Sequence, residues 1–163
     1  MSQITSRLPV EIDMPGINAL HERTFGPGRY ARTAYRIREG TRAISTYCRI
    51  ALDGDAIIAA IRMTPVLVGQ KEGALLLGPL AVDPRRANQG IGVRLITEAL
   101  SAAKADGLAL VILVGDMSYY ARFGFKPVPE NQMNLPGPYD PERLLACELI
   151  DGATAAYHGT VRA

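Results

Sequence analysis

The sequence predicts an α/β fold: a six- to seven-stranded mixed sheet flanked by helices on both faces. Two almost wholly apolar stretches, Ala74–Val82 and Leu108–Val114, flank an amphipathic helical stretch. That pattern is typical of two parallel strands joined by a right-handed helical crossover. Two strand-like runs before it, joined by Asp53-Gly54-Asp55, predict an antiparallel hairpin. A chain of 163 residues suits one domain, 1–163, that can bury a sizeable core.

Composition excludes several classes of protein. Apolar residues make up 48% and charged residues 21%, so the chain is globular, and its net charge of +2 is too small to predict a nucleic-acid partner. It has no apolar run long enough for a membrane span and no signal-peptide core, so we expect no membrane partner and a cytoplasmic protein. Cys48 and Cys147 lie in apolar runs and predict buried free thiols; with only His21 and His158, we expect no metal site.

The first part of the chain predicts an edge strand and two helices. Ile4–Leu8 alternates, and Asp13 followed by Pro15 is an N-cap signal for a helix that reaches about residue 25. Gly26–Gly28 ends it. A second, short helix is predicted over Arg29–Arg38, where arginines alternate with tyrosines. That segment is either a solvated basic face or the rim of a substrate or coenzyme site.

The middle of the chain predicts the centre of the sheet. Ser45–Leu52 and Ala56–Val68 form the hairpin strands, and Pro65 restricts the second to an edge or a bulge nearby. After a turn at Gly69–Gly73, the apolar strand Ala74–Val82 carries Gly78-Pro79 inside it. Proline cannot donate to a ladder and glycine often marks a bulge, so we expect this strand to lose regular pairing with Leu108–Val114 just beyond Pro79.

The remaining elements follow the same rules. The central helix runs from about Gly90 to Asp106, with an apolar stripe on one face and Gly107 as its stop. Then come a short helix Met117–Phe123, a strand Phe125–Val128, a proline-rich loop of about 15 residues ending at Pro141, a strand Leu144–Ile150, and a weak strand or tail over Gly152–Ala163.

Gln89-Gly90-Ile91-Gly92 opens the central helix and is a candidate phosphate site. The first N–H groups of a helix lack internal partners, and the helix dipole places partial positive charge there. Glycines let a phosphate approach the main chain closely. Arg85, Arg86 and Asn88 add donors at the rim. A tight turn with no ligand is the simpler interpretation of the glycine pair alone.

Other phosphate motifs fit less well. A P-loop needs Lys followed by Ser or Thr, but Val93-Arg94 follow the glycines here. A dinucleotide fingerprint needs a third glycine where the chain has Leu95, although Asp116 lies about where its acidic residue would fall. A nucleotide-binding α/β domain therefore stays as a weakened alternative.

The flanking motifs extend the pattern. Val82-Asp83-Pro84, then Gln89–Gly92, then Tyr120–Phe125 resemble, in order and spacing, the GNAT superfamily of acyl-coenzyme A dependent N-acetyltransferases. Gly115-Asp116 with Tyr119-Tyr120 resembles a bacterial branch of predicted acetyltransferases. These motifs cover about 50 residues, and a looser resemblance of element order covers the whole chain. One departure is Ala87, where the family usually has Gln or Arg; we expect that one side-chain contact to phosphate is either lost or moved to Arg86.

The resemblance implies the GNAT fold, with the parallel strand pair splayed to take the pantetheine arm of acetyl-coenzyme A. It also implies that no metal is required, and that Tyr120 protonates the leaving thiolate as general acid. Main-chain N–H groups of residues 80 to 82 would polarise the thioester carbonyl, and Tyr119 would pack or touch coenzyme. The implied coenzyme-binding residues are Leu80, Ala81, Val82, Arg86, Asn88, Gln89, Gly90, Ile91, Gly92, Val93 and Tyr119.

The resemblance implies an acceptor that is a primary amine of a small molecule or a protein and that attacks the thioester directly, and we expect Gly26–Gly40 and Pro127–Pro141 to form its pocket. Glu22, His21, Glu148 or water are candidates to take the amine's proton. The alternative is a non-catalytic GNAT-fold protein that binds and senses acyl-coenzyme A: Tyr120 favours the enzyme, and Ala87 favours the sensor. A homodimer is one option for the assembly.

Overall fold

The computed structural model describes residues 3–26 and 37–163. The strands are β1 (Ile4–Arg7), β2 (Arg49–Asp53), β3 (Ala56–Val68), β4 (Lys71–Val82), β5 (Leu110–Val114), β6 (Lys126–Pro127), β7 (Met133–Asn134), β8 (Leu144–Glu148) and β9 (Gly159–Arg162). The α-helices in these ranges are α1 (Met14–Phe25), α2 (Ile91–Ala105) and α3 (Met117–Tyr120), and short 3-10 turns lie between elements. Of the predicted helix Arg29–Arg38, only Ile37 and Arg38 are described, and both are helical.

The sheet confirms the predicted mixed architecture. Its main path is β1-β2-β3-β4-β5-β8-β6, in which β4 and β5 are parallel and the other neighbours antiparallel. Two short strands lie off this path: β9 pairs with the end of β3, and β7 pairs with β9. The proline-rich loop and the C-terminal segment therefore extend the sheet, since β7 lies in the first and β9 in the second.

The two long helices cover opposite faces, because side chains alternate along a strand. Ile17 and Leu20 of α1 pack on Ile50, Leu52 and Ala60. Leu95 and Ile96 of α2 instead pack on the alternate positions Ala51, Ala59 and Ile61. A third apolar cluster lies beyond the α1 cluster and contains Val66, Leu76, Ile112 and Tyr157. Because α1 and α2 cover the two faces of the sheet, a ligand can enter the sheet where neighbouring strands separate.

The strand boundaries shift where side chains compete with the ladder. The predicted strand from Ser45 begins only at Arg49, because the Ser45 hydroxyl turns back to donate to the Met63 carbonyl oxygen at 2.5 Å. Pro65 lies between two register shifts of the β3–β4 pair, beyond the end of β2 pairing at Ile61. The predicted bulge near Pro65 is therefore confirmed. Cys48 and Cys147 are buried free thiols, as predicted.

Asp13 does not cap α1 as predicted. Its own backbone is already helical, so its carboxylate faces backwards and accepts from the Val10 N–H at 2.8 Å. The Arg7 guanidinium also donates to it, at 2.7 and 2.9 Å. Asp13 therefore fastens the turn before the helix to β1.

We expect Asp13→Asn to lower the free energy of unfolding at neutral pH. The variant should also lose less of that free energy than wild type does as the pH falls into the acid range. The Arg7 hydrogen bond, with that of Val10, lowers the pKa of Asp13 from 3.8 to about 2. A depressed carboxyl pKa stabilises the fold above the unfolded-state pKa, and that contribution is lost as pH falls from about 4 to about 2. Urea unfolding at neutral pH and through this window measures the effect, with the exposed Asp151→Asn as control. A variant that loses as much stability as wild type through the window would contradict it.

Candidate active site

The parallel strands β4 and β5 separate partway along their length. They pair only at Ala74 with Leu110, Leu75 with Val111 and Leu76 with Ile112. Beyond that, β4 continues along β3 with a register shift around Gly78-Pro79, and β5 continues along β8 to Val114. The predicted split is confirmed, and it begins just after Leu76, somewhat earlier in the strand than expected.

The split opens a cavity of about 440 Å³. Both strands line it, together with the end of α1, the start of the described chain after residue 36, α3 and the loop before β8. The lining residues are Phe25, Arg38, Leu77, Gly78, Pro79, Leu80, Leu113, Val114, Tyr120, Pro138, Tyr139, Asp140 and Arg143. The sequence predicted the segments that supply Arg38 and Tyr139 as an acceptor rim but singled out neither residue, because nothing local marks which side chain faces a cleft.

The start of α2 has the geometry of an anion cradle. Gly90 precedes the helix with φ of 76°, and the first intrahelical bond runs from the Arg94 N–H to the Gly90 carbonyl oxygen at 3.0 Å. The N–H groups before Arg94 therefore have no partner within the helix. A Cβ built on Gly90 would meet nothing within 4 Å, so this main chain is open to a ligand. Gln89 and Asn88, the latter with φ of 63°, are exposed beside it.

The arginines at the rim already have carboxylate partners. Arg86 forms an ion pair with Asp53 of the hairpin, and Arg85 pairs with the buried Asp83 at 3.1 Å. The Arg85 side chain and main chain hold the pKa of Asp83 at about 2. A phosphate contact from Arg86, as expected from the sequence, would have to use nitrogens that Asp53 leaves available.

Gly92 brings Tyr119 to the cradle. A Cβ on Gly92 would lie 3.2 Å from the Tyr119 hydroxyl oxygen and 3.5 Å from Cγ2 of Val82. The Arg122 guanidinium lies 4.8 Å from the centre of the Tyr119 ring. A side chain at position 92 would therefore push Tyr119 away from the helix start.

Tyr120 is half-buried at the wall of the cleft. Its ring packs among Tyr119, Phe123 and Phe125, with centroids 5.0, 6.3 and 5.6 Å away. Gly115 makes room for it, since a Cβ there would lie 2.7 Å from the ring. Burial, with smaller effects from Tyr119 and Asp116, raises the pKa of Tyr120 to about 12, so its hydroxyl keeps its proton throughout the neutral range.

Strand alternation decides which N–H groups of β4 face the cleft. The Asp83 N–H donates to the Ile58 carbonyl oxygen of β3 at 2.8 Å, and Ala81 pairs with Ala60 in the same register. Because main-chain groups alternate in direction along a strand, the Leu80 and Val82 N–H groups face away from β3, toward the cleft. Ala81 is therefore removed from the predicted set of N–H donors to a thioester carbonyl.

The candidate bases differ in where they lie relative to the cleft. Glu148 lies opposite Leu110, at the far end of β5 from Val114 and the cleft. Its carboxylate accepts from the Thr154 N–H at 2.8 Å and the Gly152 N–H at 3.2 Å, which lowers its pKa. Glu148 is therefore a turn cap and is withdrawn as a base. Glu22 is exposed on α1, and His21 lines a smaller cavity that also touches Pro79.

Across the ranges 3–26 and 37–163, no group of three His, Cys, Asp or Glu side chains could hold a metal ion. Within the same ranges, no helix combines the length and apolar character that a membrane crossing requires.

The sequence of this chain is similar to those of known proteins. The family model for the acetyltransferase (GNAT) domain matches residues 45–127. The uncharacterized N-acetyltransferase YhbS of Escherichia coli K12 is 30% identical over 157 residues, which cover 95% of this chain and 93% of YhbS.

Solved structures agree. The crystal structure of E. coli YhbS in complex with CoA superposes with a TM-score of 0.84 at 28% identity, covering 99% of this chain and 90% of that one. A GNAT family acetyltransferase from Brucella melitensis in complex with acetyl-CoA gives 0.68 at 29% identity, covering 94% and 99%. On the family match and the extent of the YhbS similarity, this chain belongs to the GNAT family of acetyltransferases.

Proposed function

We propose that the protein transfers an acetyl group from acetyl-coenzyme A to a primary amine of a small molecule or protein, by direct attack, with Tyr120 as general acid. The observation that carries this proposal is the split between β4 and β5, which has Tyr120 in its wall. The relatives crystallised with CoA and acetyl-CoA support the choice of donor.

The residues present fit the donor. The main chain at Gly90–Val93 would hold its diphosphate, because the N–H groups lack helical partners and position 90 has open space beside it. The β4 edge beyond Leu76 has no β5 partner and would bond to the pantetheine arm as an added strand would. Acetyl-coenzyme A supplies the activated thioester; the chain supplies binding and polar groups.

Two kinds of group would stabilise the developing charges. The Leu80 and Val82 N–H groups can donate to the carbonyl oxygen of the thioester. The Tyr120 hydroxyl can donate to the sulfur. A pKa of about 12 makes Tyr120 a weaker acid than an exposed tyrosine, but the burial that raises it also raises the pKa of a thiol beside it. Tyr120 therefore stabilises the thiolate first as a hydrogen-bond donor. His21, Glu22 or water would take the amine proton.

The described strands, from β1 (Ile4–Arg7) to β9 (Gly159–Arg162), belong to one nine-stranded sheet, which supports one domain over 1–163. Two buried free thiols suit a reducing compartment, and we place the protein in the cytoplasm. We retain a homodimer as part of the proposal, to be tested by light scattering.

Thiol release from acetyl-coenzyme A in the presence of an amine panel tests the function, alongside calorimetry of coenzyme A binding. We expect micromolar or tighter binding and amine-dependent release of thiol. Tight binding without release from any amine would favour the acyl-coenzyme A sensor instead. Tighter binding of NAD or a mononucleotide than of coenzyme A would contradict both.

A further inference from the structure

Arg122 follows the short helix α3 and is oriented by two contacts with Tyr119. Its Nε donates to the Tyr119 carbonyl oxygen at 3.0 Å. Its guanidinium lies over the Tyr119 ring, 4.8 Å from the ring centre, where the negative face of the ring attracts a cation. Arg122 therefore has a defined place beside Tyr119, although its side chain is exposed.

The terminal nitrogens of Arg122 remain available to a ligand. Across residues 3–26 and 37–163, neither Nη1 nor Nη2 forms a hydrogen bond or an ion pair. Asp116, the acidic residue nearest to Arg122 along the chain, pairs with Arg143. The arginines around the start of α2 differ, because each pairs with a carboxylate: Arg85 with Asp83, Arg86 with Asp53 and Arg94 with Glu98. A guanidinium that is held through Nε and presents two unused nitrogens suits an anion such as phosphate.

Tyr119 connects this guanidinium to the anion cradle. The Tyr119 hydroxyl oxygen lies 3.2 Å from the position of a Cβ on Gly92, in the first turn of α2. Arg122 lies over the ring that carries this hydroxyl, so it is displaced from the cradle by about one aromatic ring. Its position therefore suits an anion next to the cradle and not the anion that the cradle itself would hold.

We propose that Arg122 binds the 3′-phosphate of coenzyme A and so selects coenzyme A over donors that lack this group. This inference rests on the proposed function and adds a contact to its donor site. Coenzyme A carries its diphosphate and its 3′-phosphate on opposite sides of one ribose. With the diphosphate on the main chain at Gly90–Val93, the 3′-phosphate is one ribose away, and the Arg122 fork can donate to two of its oxygens.

Binding to the wild-type protein gives the first test. Coenzyme A and dephospho-coenzyme A differ only in the 3′-phosphate, and calorimetry measures the affinity for each. The Kd for coenzyme A should be at least about fivefold lower, the scale of a strong exposed ion pair. Because exposed charges are screened, this ratio should shrink as salt rises from about 0.05 M to about 0.5 M. Equal affinities at low salt would overturn the proposal.

Variants then assign the preference to Arg122. Arg122→Gln should raise the Kd for coenzyme A about fivefold and bring it close to that for dephospho-coenzyme A, which should not change. The unchanged affinity also shows that the variant is folded. Arg122→Lys should keep part of the preference, because it keeps the charge and loses the fork. Lys126→Gln is the matched control, since it removes the same charge from an exposed residue four positions away and should keep the wild-type ratio.

Two results with Arg122→Gln would show that Arg122 does not bind the 3′-phosphate. One is a wild-type ratio between the two affinities. The other is an equal loss of affinity for both ligands, which would place Arg122 at the diphosphate or give it a structural role.

These measurements need no acceptor, so they separate this inference from acetyl transfer. A preference that depends on Arg122, without thiol release from any amine, would support Arg122 and contradict catalysis. Amine-dependent thiol release with equal affinities for the two ligands would support catalysis and overturn the role of Arg122. Binding of neither ligand would contradict both.

Discussion

Tyr120→Phe is expected to lower turnover on the order of 10²-fold while leaving coenzyme A binding unchanged. The substitution keeps the ring, which packs against Phe125 and fills the space left by Gly115. It removes only the hydroxyl, whose proton would stabilise the sulfur as charge develops there. The rate of thiol release at saturating acetyl-coenzyme A and acceptor measures kcat, and calorimetry measures the affinity for coenzyme A.

Tyr119→Phe is the matched control. It removes the same hydroxyl from the neighbouring ring, but that oxygen faces Gly92 rather than the cleft between the strands. We expect it to change coenzyme affinity at most modestly and to retain kcat. Two variants with equal kcat, both near wild type, would show that water protonates the thiolate and that Tyr120 serves packing alone.

The state of the Tyr120 proton can be checked separately. Burial raises its pKa to about 12, so the neutral hydroxyl should persist well above the pH at which an exposed tyrosine ionises. The difference in tyrosinate absorbance between wild type and Tyr120→Phe should therefore stay near zero until about pH 11. A tyrosinate signal that appears in this difference near pH 10 would show that the hydroxyl is solvated, contrary to the structure.

Much of the fold was predictable because its signals are local. Apolar runs at Leu75 and Val111 mark strands covered on both faces, and a helix between them leaves a parallel pair as the simple arrangement. Gly78-Pro79 marks the place where the ladder fails, since both residues weaken strand pairing in ways that do not depend on the rest of the fold. The cleft was predictable for the same reason.

The remaining features depend on contacts between distant residues. Asp13 was expected to cap its own helix, but Arg7 and the Val10 N–H compete for its carboxylate. Glu148 has a plausible residue type for a base, and only the pairing of β8 shows that it lies at the wrong end of β5. Residue type predicts what a group can do, whereas strand register decides what it can reach.

The same distinction applies to charge at the site. Arg86 was expected at the phosphate, yet the hairpin brings Asp53 to it from 33 residues away in the chain. Arg38 belongs to a basic segment whose sequence gives no sign of which arginine faces the cleft. The N–H donors of the main-chain cradle could be predicted from the sequence, because they are set by where α2 begins and not by the position of a side chain.

Gly90→Val should weaken coenzyme A binding at least tenfold, which corresponds to about 1.4 kcal/mol. Its side chain would occupy the open space beside the first N–H groups of α2, where the diphosphate is expected. Gly92→Val should have a similar effect through Tyr119, whose hydroxyl lies 3.2 Å from the position of the new Cβ. Calorimetry with coenzyme A measures both affinities.

Backbone strain has to be separated from the blocked site, because Gly90 has φ of 76° and any other residue there is strained. Gly107, just beyond the other end of the same helix, has φ of 79° and likewise open space around a built Cβ. Gly107→Val should therefore lose stability in urea much as Gly90→Val does, yet bind coenzyme A as wild type does. If Gly107→Val loses as much affinity as Gly90→Val, the loss is due to strain in α2. If neither Gly90→Val nor Gly92→Val loses affinity, the diphosphate does not lie on this helix.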